Sequence, residues 1–287
     1  MSWRPLSRRE DPTYDEPREG VPDYLADPLL DWISAVVRSI GFGALPLMAQ
    51  IQLRLRISPP LDLKHINYAL ASLKTRVNQD GTLFLDTLDL LLHLAVSQSR
   101  RTGLSNILRT GGSVWDVREP DQRAASEGAK LVRRAPGPVA DTMAIAASSS
   151  DRAHSHLNAA WGALMGRSPD PSVAYREAIR AVEAAAKPIV LPNNERATLG
   201  QMIAALRDKP DKWTFAIANS SPSDVADLAK MIWTGQVDRH GTDDMTVPES
   251  VTFEEADAAV YIAIALVRIF TADLVVRAPE NSASEEG

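Results

Sequence analysis

From Ala258 to Val267 no side chain is polar except the Tyr261 hydroxyl, and the apolar run around it extends from Ala256 to Val276. A helix that is apolar on every side belongs either at the centre of a bundle or in a lipid bilayer. Thr252 and Glu255 have the spacing of a capping box, in which each side chain satisfies a free amide, and they mark where this helix starts. Asp257, Arg268 and Asp273 decide between the two surroundings. A spanning helix needs about 20 predominantly apolar residues, and three ionisable groups in and beside this run favour a protein interior. Ala258, Ala259, Ala263 and Ala265 let neighbouring helices approach closely, so the segment is expected at the centre of a helical bundle.

The rest of the chain supplies partners of the same period. Asp27 and Pro28 read as the cap and first residue of a helix carrying Leu29, Trp32, Ile33, Val36 and Ile40, ended by Gly41. Pro46 to Ile57 reads as a second helix, stopped by Pro59-Pro60, although Leu53, Leu55 and Ile57 also alternate as in a strand. Ile66, Leu70, Leu73 and Val77 mark a third, and Phe84, Leu88, Leu91, Leu92 and Ala95 a fourth after the turn at Asn78–Gly81. Pro136 to Gly166 reads as one long helix, with Met143, Ile145, Leu157, Trp161 and Leu164 as its contacts. Asp170-Pro171 starts the next, with Tyr175, Ile179, Val182 and Ala186 facing in, Arg176, Glu177, Arg180, Glu183 and Lys187 facing out, and Pro188 ending it. Thr198 and Gln201 form a second capping box before Leu199, Met202, Ile203 and Leu206, and Ser223 to Trp233 is a last helix before the central one. Ser113–Val117 and Lys130–Arg133 have strand composition on either side of a polar loop, which predicts a β-hairpin supported by helices.

The expected fold is therefore mainly α: helical bundles with one small β-hairpin in the middle of the chain. Its expected parts are a disordered arm over 1–22, a helical portion over 23–110, a hairpin connection over 111–135, a helical domain over 136–277 and a disordered tail over 278–287. The two ends are polar and lack apolar period, so they cannot bury enough surface to offset ordering entropy. With no cysteine in 287 residues, disulfides, thiolate metal sites and a cysteine nucleophile are excluded. A net charge of -6 argues against a general nucleic-acid coat. Arginine outnumbers lysine 24 to 7, as GC-rich coding would produce. The start, Met1-Ser-Trp-Arg-Pro5, has no apolar core of signal-peptide length, and a cytoplasmic protein is expected.

Candidate chemistry is sparse. The turn Trp233–Gly241 brings Arg239 and His240 together beside a permissive glycine. Histidine titrates near neutrality, and an adjacent guanidinium suits a phosphate, so this pair is the candidate catalytic site. The competing reading gives both side chains to helix-end carbonyls. Asp238, Asp243 and Asp244 surround the pair with negative charge. Those acids, or Asp86, Asp89 and His93 on one helix face, have metal-ligand chemistry without metal-site spacing, and neither a metal nor a cofactor is expected. Arg152, His154 and His156 share the long helix, with Arg152 and His156 one turn apart. Residues 100–134 hold eight basic and four acidic side chains. Arg118, Arg123, Arg133 and Arg134 are the candidate phosphate or nucleic-acid contacts, a kind of contact that positions a strand without reading its sequence.

Ala174–Ala184, Ala197-Thr-Leu-Gly200, Trp233–Gly241 and the helix from Glu254 together resemble the abortive-infection C-terminal type of HEPN domain, over the C-terminal half of the chain. Gly112-Ser-Val-Trp115 is similar to an element in uncharacterised bacterial proteins of that kind. The resemblance implies an all-α bundle, commonly a homodimer, serving bacterial phage defence. Active members are metal-independent ribonucleases whose motif is an Arg followed by four to six residues and a His. Here the residues before His240 at those distances are not arginine, and Arg239 precedes it directly. The resemblance therefore leads to an interaction or sensor module, with RNA or a nucleotide as partner and no membrane; the alternative is a ribonucleotide-directed enzyme using Arg239 and His240.

Overall fold

The computed structural model describes residues 5–8, 10–11, 14, 16–94, 96–120, 128–217, 220–234 and 251–278. It divides the chain into two compact units, 1–134 and 135–287. Each has its own apolar core. The mainly α expectation is borne out.

The first unit contains α1 (Asp23–Ser39), α2 (Ala44–Arg54), α3 (Ile66–Gln79), α4 (Gly81–His93), α5 (Gln98–Thr110) and the hairpin strands β1 (Trp115–Arg118) and β2 (Lys130–Arg133). Leu29, Ile33, Met48, Leu73, Phe84 and Leu88 are all but inaccessible and form the centre of its core. The periodic positions of α1 are buried as expected, but its start is not at Asp27. The helix begins at Asp23, takes Pro28 into its interior and buries Leu25, while Ile40 lies past its end and is exposed. A proline removes only the bond to the carbonyl four residues back, and burial of the apolar face keeps the helix intact. Asp80 separates α3 from α4 by accepting bonds from the Thr82 and Leu83 amides at 2.9 and 3.0 Å. Ala95, assigned to this helix from its spacing, lies outside the described residues.

The helix α5 has no counterpart in the periodicity, because only Leu104 and Leu108 of it are fully buried. Polar contacts hold it instead. The Trp32 indole donates to the Arg100 carbonyl at 2.8 Å, and Asp116 of β1 accepts from Ser105 at 2.6 Å and from Arg109 at 2.7 Å. The hairpin forms at the expected residues and is antiparallel, with Trp115 opposite Arg133 and Arg118 opposite Lys130. Arg18 and Glu19, expected within a disordered arm, lie beside it: the Arg18 amide donates to the Gly112 carbonyl at 2.7 Å and Glu19 pairs with Arg133 at 2.6 Å.

The second unit contains α6 (Gly137–Ser149), α7 (Asp151–Met165), α8 (Pro171–Val190), α9 (Leu199–Asp208), β3 (Trp213–Phe215), α10 (Pro222–Thr234), α11 (Phe253–Thr271) and β4 (Val275–Arg277). The capped apolar helix α11 is central, packing on α6, α7, α8 and α10. It stops at Thr271, short of the apolar run's end. Asp273 takes a positive φ of 54°, and the chain then forms β4, which pairs antiparallel with β3 in a second small sheet. The long helix expected over 136–166 is two helices. Ser150 is extended at the break, and its hydroxyl caps α7 by accepting from the Ala153 amide at 3.2 Å. Pro188 does not end α8, because Val190 is buried and packing carries the last turn past the lost donor. No single helix among the described residues is long and apolar enough to cross a membrane.

Candidate functional site

The helices α7 and α8 are neighbours, and the pairing brings together charged residues that lie 21 positions apart. Glu177, expected to face solvent, is only 9% exposed. Alternation along the helix cannot reveal this, since Glu177 sits between positions that face the core and those that face water, and only the contact with α7 covers it. Its carboxylate is fully occupied: His156 Nδ1 lies 2.7 Å from Oε2, Arg180 donates to Oε1 at 2.8 Å, and the Arg176 guanidinium lies 3.8 Å from the same oxygen. Burial pushes this carboxyl's pKa up, but the His156 hydrogen bond and the Arg180 charge outweigh it and hold the group below the ordinary glutamate value.

The imidazole gains an orientation from this arrangement. With Nδ1–H committed to a carboxylate, Nε2 is the position left for exchange with a ligand, since a hydrogen-bonded carboxylate fixes the tautomer and orientation of the ring. His156 is partly accessible, Nε2 has no hydrogen bond among the described residues, and Arg152 stands one turn away on the same helix face. Arg176 and Arg180 are 42% and 51% exposed at their side chains, so three guanidiniums and one buried carboxylate leave the locality positive. Such a surface can accept a phosphate and exchange a proton with it. His154 is different. Its Nδ1 meets the Met143 carbonyl at 2.9 Å and its Nε2 the Asn158 amide at 2.7 Å, so it staples α6 to α7 and has no nitrogen to spare.

The residues singled out from the sequence fall in several places. Arg239 and His240, with Asp238, Asp243 and Asp244, lie outside the described residues, as does Arg123. Arg118, Arg133 and Arg134 are all in or beside the hairpin. Arg133 pairs with both oxygens of Glu19 and stands 5.4 Å from the centroid of Trp115, while Arg134 donates to the Ser113 carbonyl at 3.2 Å. The Arg133 and Arg134 guanidiniums thus hold acceptors within the protein. Asp89 is a structural acceptor, bound to the Leu131 amide at 2.6 Å, and ties α4 to β2. Among the described residues no group of three or more His, Asp or Glu side chains is placed to hold a metal ion.

The residue missed by sequence reasoning is Glu177, and with it Arg180. Their signal was present as the i, i+3 pair on α8 but was indistinguishable from an ordinary solvated face. Only the partner helix distinguishes them. No protein-family model, curated protein or solved structure matches this chain.

Proposed function

We propose that the protein is an interaction or sensor module of bacterial phage defence whose C-terminal unit takes up a phosphate-bearing ligand, a nucleotide or RNA, at the α7–α8 cluster. The observation that carries this reading is the imidazole of His156, oriented by buried Glu177 and flanked by Arg152, Arg176 and Arg180. Phage defence rests on the resemblance of the C-terminal half to abortive-infection domains, and the cluster supplies a chemistry consistent with it. The second reading is metal-independent ribonucleotide cleavage. It is favoured by the same free Nε2, which has the geometry of a general acid or base, and Arg239 with His240 remains its sequence-derived site.

The test measures binding and cleavage side by side. Full-length protein is titrated with a fluorescent oligoribonucleotide and with adenosine 5′-monophosphate, then incubated with mixed RNA with and without EDTA. Loss of one charge-assisted contact costs about 1.5–3 kcal/mol, so Arg180→Ala should weaken binding by about ten-fold or more. Binding without cleavage supports the sensor. Cleavage that survives EDTA and is lost in His156→Ala or His240→Ala establishes the enzyme and tells which histidine serves it. Absence of both binding and cleavage rules out the cluster as a phosphate site.

A further inference from the structure

The second unit contains a cavity of about 580 Å³ at the C-terminal ends of α8 and α9, closed on one side by the β3–β4 sheet. That is within the range of about 300–1,000 Å³ typical of small-molecule sites. Its floor is apolar, formed by Val190, Ala205 and Trp213, the last only 8% exposed. Its rim carries Lys209, Lys212 and Arg277 against Asp208 and Asp211. The sheet register explains part of this. Trp213 and Arg277 are direct cross-strand partners, so both side chains project from one face, and the guanidinium lies 5.5 Å from the indole centroid. The Ala278 amide donates to the Lys212 carbonyl at 2.9 Å, and the Trp213 indole donates to the Ala205 carbonyl at 3.3 Å, which fixes rim and floor to one another.

None of the five charged rim side chains is in an ion pair among the described residues, although elsewhere in this unit charged neighbours pair readily, as Glu177 with Arg180 and Arg207 with Asp227. Charges outside ion pairs around an apolar floor, Arg277 with the Trp213 indole face beside it, suit a ligand that brings its own counter-charge. The sum on the rim is positive, because Lys209, Lys212 and Arg277 outnumber Asp208 and Asp211, and this excess must outweigh the negative carbonyl ends of α8 and α9 for an anion to be held. We infer that this cavity binds a small amphipathic anion, a ring or short apolar body carrying one phosphate or carboxylate, with the apolar part on Val190, Ala205 and Trp213 and the anionic group at Lys209, Lys212 and Arg277. The site is separate from the α7–α8 cluster and does not depend on that cluster's function.

The Trp213 indole N–H is a direct reporter, and its resonance in ¹⁵N-labelled full-length protein is identified by its disappearance in Trp213→Phe. The probes are phenyl phosphate, phenylacetate and inorganic phosphate. A saturable shift of that resonance with phenyl phosphate or phenylacetate is expected. The affinity should fall about ten-fold or more in the Lys212→Ala/Arg277→Ala double variant, as loss of charge-assisted contacts requires. The two organic probes distinguish phosphate from carboxylate preference. The rim side chains are exposed, so the double variant should keep its methyl spectrum. The inference is overturned if neither organic anion moves the resonance at millimolar concentration, if the double variant binds equally well, or if inorganic phosphate binds as tightly as phenyl phosphate.

Discussion

A single carboxylate shows how far residue identity alone leads. Glu177 has the sequence environment of a surface residue, with arginine before it and another three positions later, yet it is buried and bonded to His156 and Arg180. Its pKa is lowered in the folded protein, so its contribution to stability is fully present above the unfolded value of about 4.3 and is lost as pH falls through the lower folded value. We expect the melting temperature of Glu177→Gln to be less dependent on pH below about 4.5 than that of the wild type. At neutral pH it should be lower by the equivalent of about 1–2 kcal/mol, since both partners are partly solvated. Equal acid dependence in the two proteins would show that the Glu177 pairing does not survive in solution. Tyr261 gives a second titration. Burial raises its pKa, helped by the nearby Asp257 charge, so its phenolate should appear only above the ordinary value of about 10 in an absorbance titration.

At the scale of elements, legibility followed the physical signal. Helices with an apolar stripe, such as α3 with Leu70, Leu73 and Val77, are plain in the sequence because a 3.6-residue period is dictated by the face they bury. The capping boxes at Thr198 and Thr252 are equally plain, because they are local hydrogen-bond patterns. α5 was illegible since its anchors are Trp32 and Asp116, residues outside it. β3 and β4 were illegible since three-residue strands carry no period and pair across 60 or more positions, with α10 and α11 between them. The packing of α9 on α10 provides a sharp test. A Cβ added at Gly200 would lie 2.6 Å from the Trp233 ring, closer than real contacts allow, so the ring would have to move. Gly200→Ala gains helix propensity worth about 1 kcal/mol, and overpacking costs about 1–3 kcal/mol. Net destabilisation in chemical denaturation is therefore expected, together with a shifted Trp233 indole resonance. A stabilised variant with an unmoved resonance would mean that the two helices do not meet this closely.

At the scale of the whole molecule, two cores in one chain set the terms for both folding and assembly. α11 packs on α6, α7, α8 and α10 but keeps one face, with Ala258, Tyr261 and Ala265, exposed. Exposed apolar side chains stand on both units, among them Phe42 after α1 and Met231 on α10. Light scattering at micromolar concentration tests the homodimer that the family resemblance implies: about twice 31.2 kDa is expected, and a single-chain mass that persists on concentrating would remove it. The folding prediction is independent of assembly. The core of residues 135–287 is complete without any side chain of the first unit, running from Val139 to Val275, and its length is well within that of ordinary single domains. Expressed alone, 135–287 should show a helical far-UV spectrum, fixed near-UV bands from its tryptophans and one cooperative denaturant transition. Retained helix with no near-UV signal and strong dye binding would mark a molten state and would show that this core needs the first unit to order it.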